Sequence, residues 1–411
     1  MKKRIIFLAS FLLFLAVFLF SRNLSNKALA QFENDFDTDR LIVKFKKEVG
    51  REERNRLLQE LKAPLQERID QLDVEVVGVE KNKIRDFIQL FTRLGKIEYV
   101  EPDYKAEALE LTSDPGIIQN KQWGMFKIKA ADSGESAWNF AKSTAEAKIA
   151  IIDTGIDQDH EDLGGGKIVA DKNCTSSPTP DDLYGHGTHV AGIAAAATNN
   201  GIGVAGLGYN AALMNAKALG DNGSGYYSWI ANCIIWAADN GAKVINMSLG
   251  GSYGSTTLQN AVNYAWNKGV VITAAAGNSG NSSRTYPAYY SNVIAVAATD
   301  VNDRKASFSS YGKWVDVAAP GKDIYSTFPN HANVIGKTNY DFANGTSMST
   351  PHVAGLAALV WGTSYGTDKT SVRRQIEATA DKISGTGRYW TYGRINALKA
   401  VTTAGVYSSR F

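Results

Sequence analysis

Apolar residues first gather in a run at 5–20, interrupted by Ser10 alone, after Lys2, Lys3 and Arg4 and before a polar stretch that ends Ala28-Leu29-Ala30. A positive start, an apolar middle and a small-x-small stop describe a secretory signal cut after Ala30. A signal anchor is the competing reading, because the run is long and the cut site lies several residues beyond it. No later stretch reaches the roughly 18 apolar residues of a spanning helix. The mature chain is therefore expected to be exported, with no membrane association once residues 1–30 are removed.

Between 31 and 109 the pattern is that of a small, charge-rich α+β unit. Leu41, Val43 and Phe45 alternate with polar neighbours, as on a half-buried strand. Leu57, Leu58 and Leu61 mark a helix, and 74–79 reads as a strand. Ile84, Phe87, Ile88 and Phe91 recur at helical spacing. A last strand at 97–100 is stopped by Pro102. Strands and helices in this order suggest a ferredoxin-like arrangement.

From about 110 the texture turns rich in Gly and Ala. Short apolar runs at 148–152, 211–218, 244–249, 270–275 and 293–297 alternate with helical stretches such as 228–240 and 256–268. That alternation predicts an α/β fold, a doubly wound and mainly parallel sheet with helices on both faces. Residues 110–411 are enough for one large core.

Composition narrows the class without naming a partner. The 411 residues are 44% apolar and 21% charged, which excludes a disordered or fibrous chain. Lys plus Arg 44 against Asp plus Glu 41 leaves +3, too balanced to argue for nucleic acid. The only cysteines, Cys174 and Cys233, could pair in an exported protein, but their proximity cannot be read from sequence. Neither has a second Cys or a His at zinc-ligand spacing.

Three short segments carry the chemistry. Asp153 closes the apolar strand 148–152 and is followed by Thr154-Gly155, where α/β folds place their sites. A turn-forming Asp before Gly is the plain alternative. His186 lies in Gly185-His186-Gly187-Thr188-His189 at the head of an Ala-rich helix. A His-Glu-x-x-His metal site is excluded there, because Gly187 and Thr188 supply no general base. Ser347, in Gly345-Thr346-Ser347-Met348-Ser349-Thr350-Pro351-His352, is expected at a helix start, where free N–H groups favour a developing anion. Pro351 is expected in that helix's first turn. Alone, each is an ordinary cap or turn. Together they are a nucleophile, a base and a carboxylate that fixes the base's tautomer. Ala276-Gly277-Asn278 adds an amide donor suited to an oxyanion.

With Ile152-Asp153-Thr154-Gly155, Ser248-Leu249-Gly250-Gly251 and Ala276-Gly277-Asn278, these motifs make the chain resemble the subtilisin-like serine proteases (peptidase family S8), most closely their thermitase-type secreted members. The resemblance runs from about Asp114 to Val401, and residues 39–103 look like the family's inhibitor propeptide. It implies Ser347 as nucleophile, His186 as general base and then acid, and Asp153 as its orienting partner. Asn278 and the Ser347 N–H would hold the oxyanion. It further implies that Ser224 and Gly225, with Ser248, Leu249 and Gly250, pair with an extended peptide. Ala275, Ala276 and Gly277 would leave a roomy pocket for hydrophobic or aromatic P1 residues, and Leu219 and Tyr227 would line a second. A structural Ca²⁺ is implied on Asp114, Asp162, Asn200 and the carbonyls of Ala197, Ile202 and Val204. A plain Asn-Gly turn is the alternative there. A second calcium site is in doubt, because Lys172 and Ser177 stand where carboxylates belong. Residues 329–344 look longer than their counterpart.

Two decoys point elsewhere. Gly201-Ile-Gly203-Val-Ala-Gly206 matches a dinucleotide fingerprint but follows a helix instead of opening one. Gly250-Gly-Ser252-Tyr-Gly254 matches an esterase elbow, for which Asp316 or Asp323 with His331 or His352 could complete a triad. A silent binding protein on the same fold is a third alternative, disfavoured by the intact Asp153, His186, Ser347 and Asn278. The expectation is a secreted, broadly specific endopeptidase acting on peptide and protein substrates as a monomer. It would be made as a proenzyme whose own residues 31–109 inhibit it. The tail 104–109 would lie in the substrate cleft and be cut near Leu109.

Overall fold

The computed structural model describes residues 38–80, 83–104, 111–132 and 134–405. The expected signal at 1–30 and cleavage segment at 105–109 lie outside the described residues. The chain divides into two compact units, one ending at Ala108 and the other starting at Leu109.

In the first unit, β1 (Arg40–Phe45), β2 (Leu65–Ile69), β3 (Val74–Gly78) and β4 (Ile97–Pro102) form an antiparallel sheet in the order β2-β3-β1-β4. The helices Arg51–Glu60 and Ile84–Arg93 supply Leu57, Leu58, Ile84 and Phe91 to a core that also holds Leu41, Val43 and Phe45. This is the ferredoxin-like order. β2 escapes the apolar pattern because its residues are exposed or half-exposed.

The second unit is built on eight strands: β5 (Ile149–Asp153), β6 (Ile168–Asn173), β7 (Leu213–Lys217), β8 (Val244–Met247), β9 (Val271–Ala275), β10 (Ile294–Thr299), β11 (Val317–Pro320) and, after a hairpin, β14 (Gly393–Arg394). Their order is β14-β11-β10-β9-β8-β5-β7-β6, and every pair is parallel. Alternation within the strands divides two cores. Ile149, Ile151, Val244, Val271 and Ile294 face one side, packed under the helices His186–Ala195 and Thr346–Trp361. Ala150, Ile152, Ile245, Ile272 and Ala295 face the other, under Tyr227–Asp239 and Thr256–Asn267. A strand buried on both faces needs apolar residues at every position, which is why these runs were legible.

The strand order reverses beside β5, so the carboxyl ends of β5, β7 and β8 open onto a crevice. The hairpin β12 (Ile324–Phe328) and β13 (Asn339–Ala343) leads into the helix Thr346–Trp361. Cys174 and Cys233 are joined in a disulfide with Cα atoms 6.0 Å apart. Among the described residues, no helix is long and apolar enough to cross a membrane.

Candidate active site

Asp153 is the last residue of β5 and fully buried. Its Oδ1 accepts the Thr154 N–H at 2.8 Å and lies 2.7 Å from His186 Nδ1. His186 opens its helix, and the approach depends on Gly187: a Cβ there would lie 2.1 Å from the Gly155 carbonyl oxygen and 3.1 Å from Asp153 Cβ. The helix start is held by Asp182. Its carboxylate accepts from Gly185 N at 2.7 Å, Thr188 N at 2.8 Å, and the hydroxyls of Thr188 and Thr154 at 2.7 and 2.8 Å. An anion at that position also suits the helix dipole. Burial works against the imidazolium of His186, but the Asp153 charge and hydrogen bond, with Asp182 behind, outweigh it and raise the pKa. The other histidines of these motifs differ. Burial lowers His189 to about 3 and His352 to about 4, and both bond backbone carbonyls as structural groups.

Ser347 is the second residue of the helix Thr346–Trp361, and its hydroxyl donates to the Ser248 carbonyl at 3.1 Å. Pro351 is not in the first turn but inside the helix. Lacking an N–H, it cannot serve the Ser347 carbonyl four residues back. That carbonyl instead accepts the Ser248 hydroxyl at 2.7 Å. Asn278 Oδ1 is fixed by the Thr346 N–H at 2.9 Å and hydroxyl at 3.0 Å, leaving its Nδ2 without an acceptor among the described residues. Gly345, at φ +153°, keeps the space between donors open: a Cβ there would sit 3.4 Å from Asn278 Nδ2 and 3.5 Å from Ser347 N.

His186, Ser347 and Asn278 border one cleft of about 480 Å³. Leu219, Ser224, Gly225, Tyr227, Ser248, Leu249, Gly250 and Gly277 line it as the sequence suggested. Ala276 does not. It is fully buried in the core, with its N–H on Val296, and Ala275 lines the cleft in its place. Tyr184, Thr285 and Ile230 also line the cleft. No motif marked them, although Tyr184 lies two residues before His186 and its ring fills the space a Cβ on Gly223 would take. The longer segment 329–344 buttresses this wall, since Val334 and Ile335 N–H groups donate to the Leu183 and Tyr184 carbonyls at 3.0 and 3.1 Å. Of the decoys, Ser252 is an exposed bend residue, and residues 201–206 open no helix.

Away from the cleft, Asp114 and Asp162 are both fully buried and converge on the turn 197–204. Asp114 accepts from Asn199 N at 2.9 Å, and Asp162 from Asn200 Nδ2 and Val204 N at 2.8 Å each. Burial raises the Asp162 carboxyl above its ordinary value. Neither carboxylate has an ion-pair partner within salt-bridge distance among the described residues. The donors that meet the two carboxylates are N–H groups of Asn199, Asn200 and Val204, while the Asn200 amide oxygen accepts the Ile202 N–H at 2.9 Å. Among the described residues, no group of three or more His, Cys, Asp or Glu is placed to hold a metal ion.

The chain matches the subtilase family over residues 144–397 and the fervidolysin N-terminal prodomain over 25–103. It is 46% identical over 362 residues to the thermophilic serine proteinase of Bacillus sp. (strain AK1), covering 88% of this chain and 87% of that one. It is 52% identical over 289 residues to thermitase of Thermoactinomyces vulgaris, covering 70% and 98%. Among solved structures, a protease of Pseudoalteromonas arctica PAMC 21717 superposes with a TM-score of 0.61 at 31% identity, over 72% of this chain and 100% of that one.

Proposed function

The chain belongs to the subtilase family and is a serine endopeptidase, and from that premise we propose which of its residues do the chemistry. The observation that carries the reading is the contact of buried Asp153 with half-buried His186, 2.7 Å apart, His186 bordering the cleft that also holds Ser347 and the fixed Asn278. Ser347 Oγ turns from the Ser248 carbonyl, gives its proton to His186 Nε2, and attacks the scissile carbonyl. Asp153 holds Nδ1–H and stabilises the imidazolium. Asn278 Nδ2 and the Ser347 N–H receive the oxyanion. His186 then protonates the departing amine, and water, deprotonated by the same imidazole, releases the acyl group.

Substrate lies extended along Ser224–Gly225 and Ser248–Gly250. The small residues Ala275 and Gly277 favour a hydrophobic or aromatic P1 side chain, and a marked preference for Arg at P1 would contradict that. Asp114, Asp162, Asn200 and the carbonyls of Ala197, Ile202 and Val204 would hold one Ca²⁺, whose role is to neutralise buried charge. Residues 1–30 direct export, and 31–109 form the propeptide that inhibits the enzyme until cut near Leu109. The prodomain match supports this.

A fluorophosphonate label tests the assignment. Enzyme is labelled at Ser347 and loses peptidase activity, while Ser347→Ala protein takes no label and is inactive from the start. Label and activity that survive Ser347→Ala, or follow Ser252→Ala instead, refute it. Sequencing the labelled enzyme from its N-terminus tests maturation, and a start near Gln31 would overturn it.

A further inference from the structure

Lys217, at the end of β7, is fully buried, among the largest side chains that are. A buried ammonium is tolerated only when its donors are met. Here two carbonyl acceptors and one carboxylate at ion-pair distance come from three different segments. Lys217 Nζ donates to the carbonyl of Thr154, directly after Asp153. It donates to the Asp181 carbonyl at 2.8 Å, in the loop that leads to His186. It pairs with Asp221 Oδ1 at 2.8 Å, in the loop that runs to Ser224 and Gly225 at the cleft edge.

The backbone repeats the connection. Lys217 stands opposite Asp153 in the sheet, and the next two N–H groups, of Ala218 and Leu219, donate to the Asp153 carbonyl at 2.8 and 3.0 Å. From behind, the Lys217 carbonyl accepts the Cys174 N–H at 2.9 Å. An apolar side chain could fill the volume, but it could not join three sets of oxygens.

We propose that Lys217 is a positioning residue that fixes the general base relative to the strand on which substrate pairs, one arm reaching the Asp153 turn, one the His186 loop, and one, through Asp221, the substrate edge. This rests on the triad assigned above. Asp221→Asn removes the charge of the third arm alone, at a half-exposed site. Lys217→Met removes all three.

Both variants are compared with parent enzyme per fluorophosphonate-labelled site, so that misfolded protein does not count. Two substrates are used: a tetrapeptide amide that occupies the edge strand, and a single-residue tyrosine ester that does not. For Asp221→Asn, KM for the tetrapeptide rises about fivefold, while kcat and the ester constants hold. For Lys217→Met, kcat falls about tenfold or more on both substrates, the scale expected when a base is displaced by a fraction of an ångström. Equal per-site constants in parent and Lys217→Met overturn the proposal, and so does Asp221→Asn that changes ester and tetrapeptide alike. If Lys217→Met yields no labelled protein, Asp221→Asn decides alone. Activity that survives Ser347→Ala would instead defeat the triad, and the two failures are read separately.

Discussion

At the scale of single residues, the protonation of His186 is set by two opposed effects. Burial favours the neutral ring, and Asp153 with its short hydrogen bond favours the charged one and prevails. The base proposed at His186 would work only when neutral, so kcat/KM is expected to fall as pH drops through a pKa above the ordinary imidazole value. In Asp153→Asn the burial remains while the charge is gone. The acid limb then moves to lower pH, and the plateau falls by roughly 10⁴-fold because the tautomer is no longer fixed. A pH profile of kcat/KM checks this, and a limb that stays or moves upward contradicts it. The residues proposed as the triad, with Asn278, could be singled out in the sequence because each sits in a motif whose glycines answer a local steric demand, as Gly187 does against Gly155. Of Ala275, Ala276 and Gly277, which the sequence placed together at the pocket, Ala275 and Gly277 border the cleft and Ala276 is buried in the core. Lys217, Tyr184 and Thr285 could not be found, because what matters about them is which distant segments they meet.

Among the elements, the helix Thr346–Trp361 shows a local conflict resolved by a neighbour. Pro351 deprives the Ser347 carbonyl of its helical donor, and the Ser248 hydroxyl supplies another at 2.7 Å. Ser248→Ala leaves that carbonyl unmet, at a cost of about 1–3 kcal/mol. Urea unfolding in the Ser347→Ala background, which prevents self-digestion, shows the loss as a lower midpoint with unchanged slope. An unchanged midpoint sinks the account. Three of the strands missed in the sequence share a physical cause, whereas β11, buried at every position, was passed over because it is only four residues long. β6 is an edge strand of the large sheet and runs Ile168-Val-Ala-Asp-Lys-Asn173, half of it solvated. β2 is an edge strand of the small sheet, and β13 a partly exposed hairpin arm. Edge and surface strands need no continuous apolar run, so periodicity passes over them. Central strands such as β5 and β9, buried at every position, could not be missed.

Over the whole catalytic unit, two links join segments far apart in sequence. Cys174 follows β6 and Cys233 lies in the helix Tyr227–Asp239, 59 residues on. The sequence left their pairing open because only the sheet brings edge strand and helix together. Closing a loop of that length is worth about 4 kcal/mol on the chain-entropy account, so reduction, or Cys174→Ser with Cys233→Ser, lowers the melting temperature. Melting that ignores reductant would show the bond to be absent or idle. The second link is the ionic one proposed above. Asp114, before the first helix of the unit, and Asp162, after β5, are fully buried against the turn 197–204, with no ion-pair partner within salt-bridge distance among the described residues. Such anions are costly unless a cation joins them. A bound Ca²⁺ stabilises only the folded chain, by about 2.7 kcal/mol when present at a hundred times its Kd. Chelation then lowers the melting temperature by roughly 4 °C, and added Ca²⁺ restores it. Asp162→Asn, whose turn has lost a ligand charge, melts lower from the start and responds little to chelator. Calorimetry on Ser347→Ala protein separates these outcomes from self-digestion. Parent protein that melts at the same temperature with and without chelator would leave the two carboxylates held by their hydrogen bonds alone.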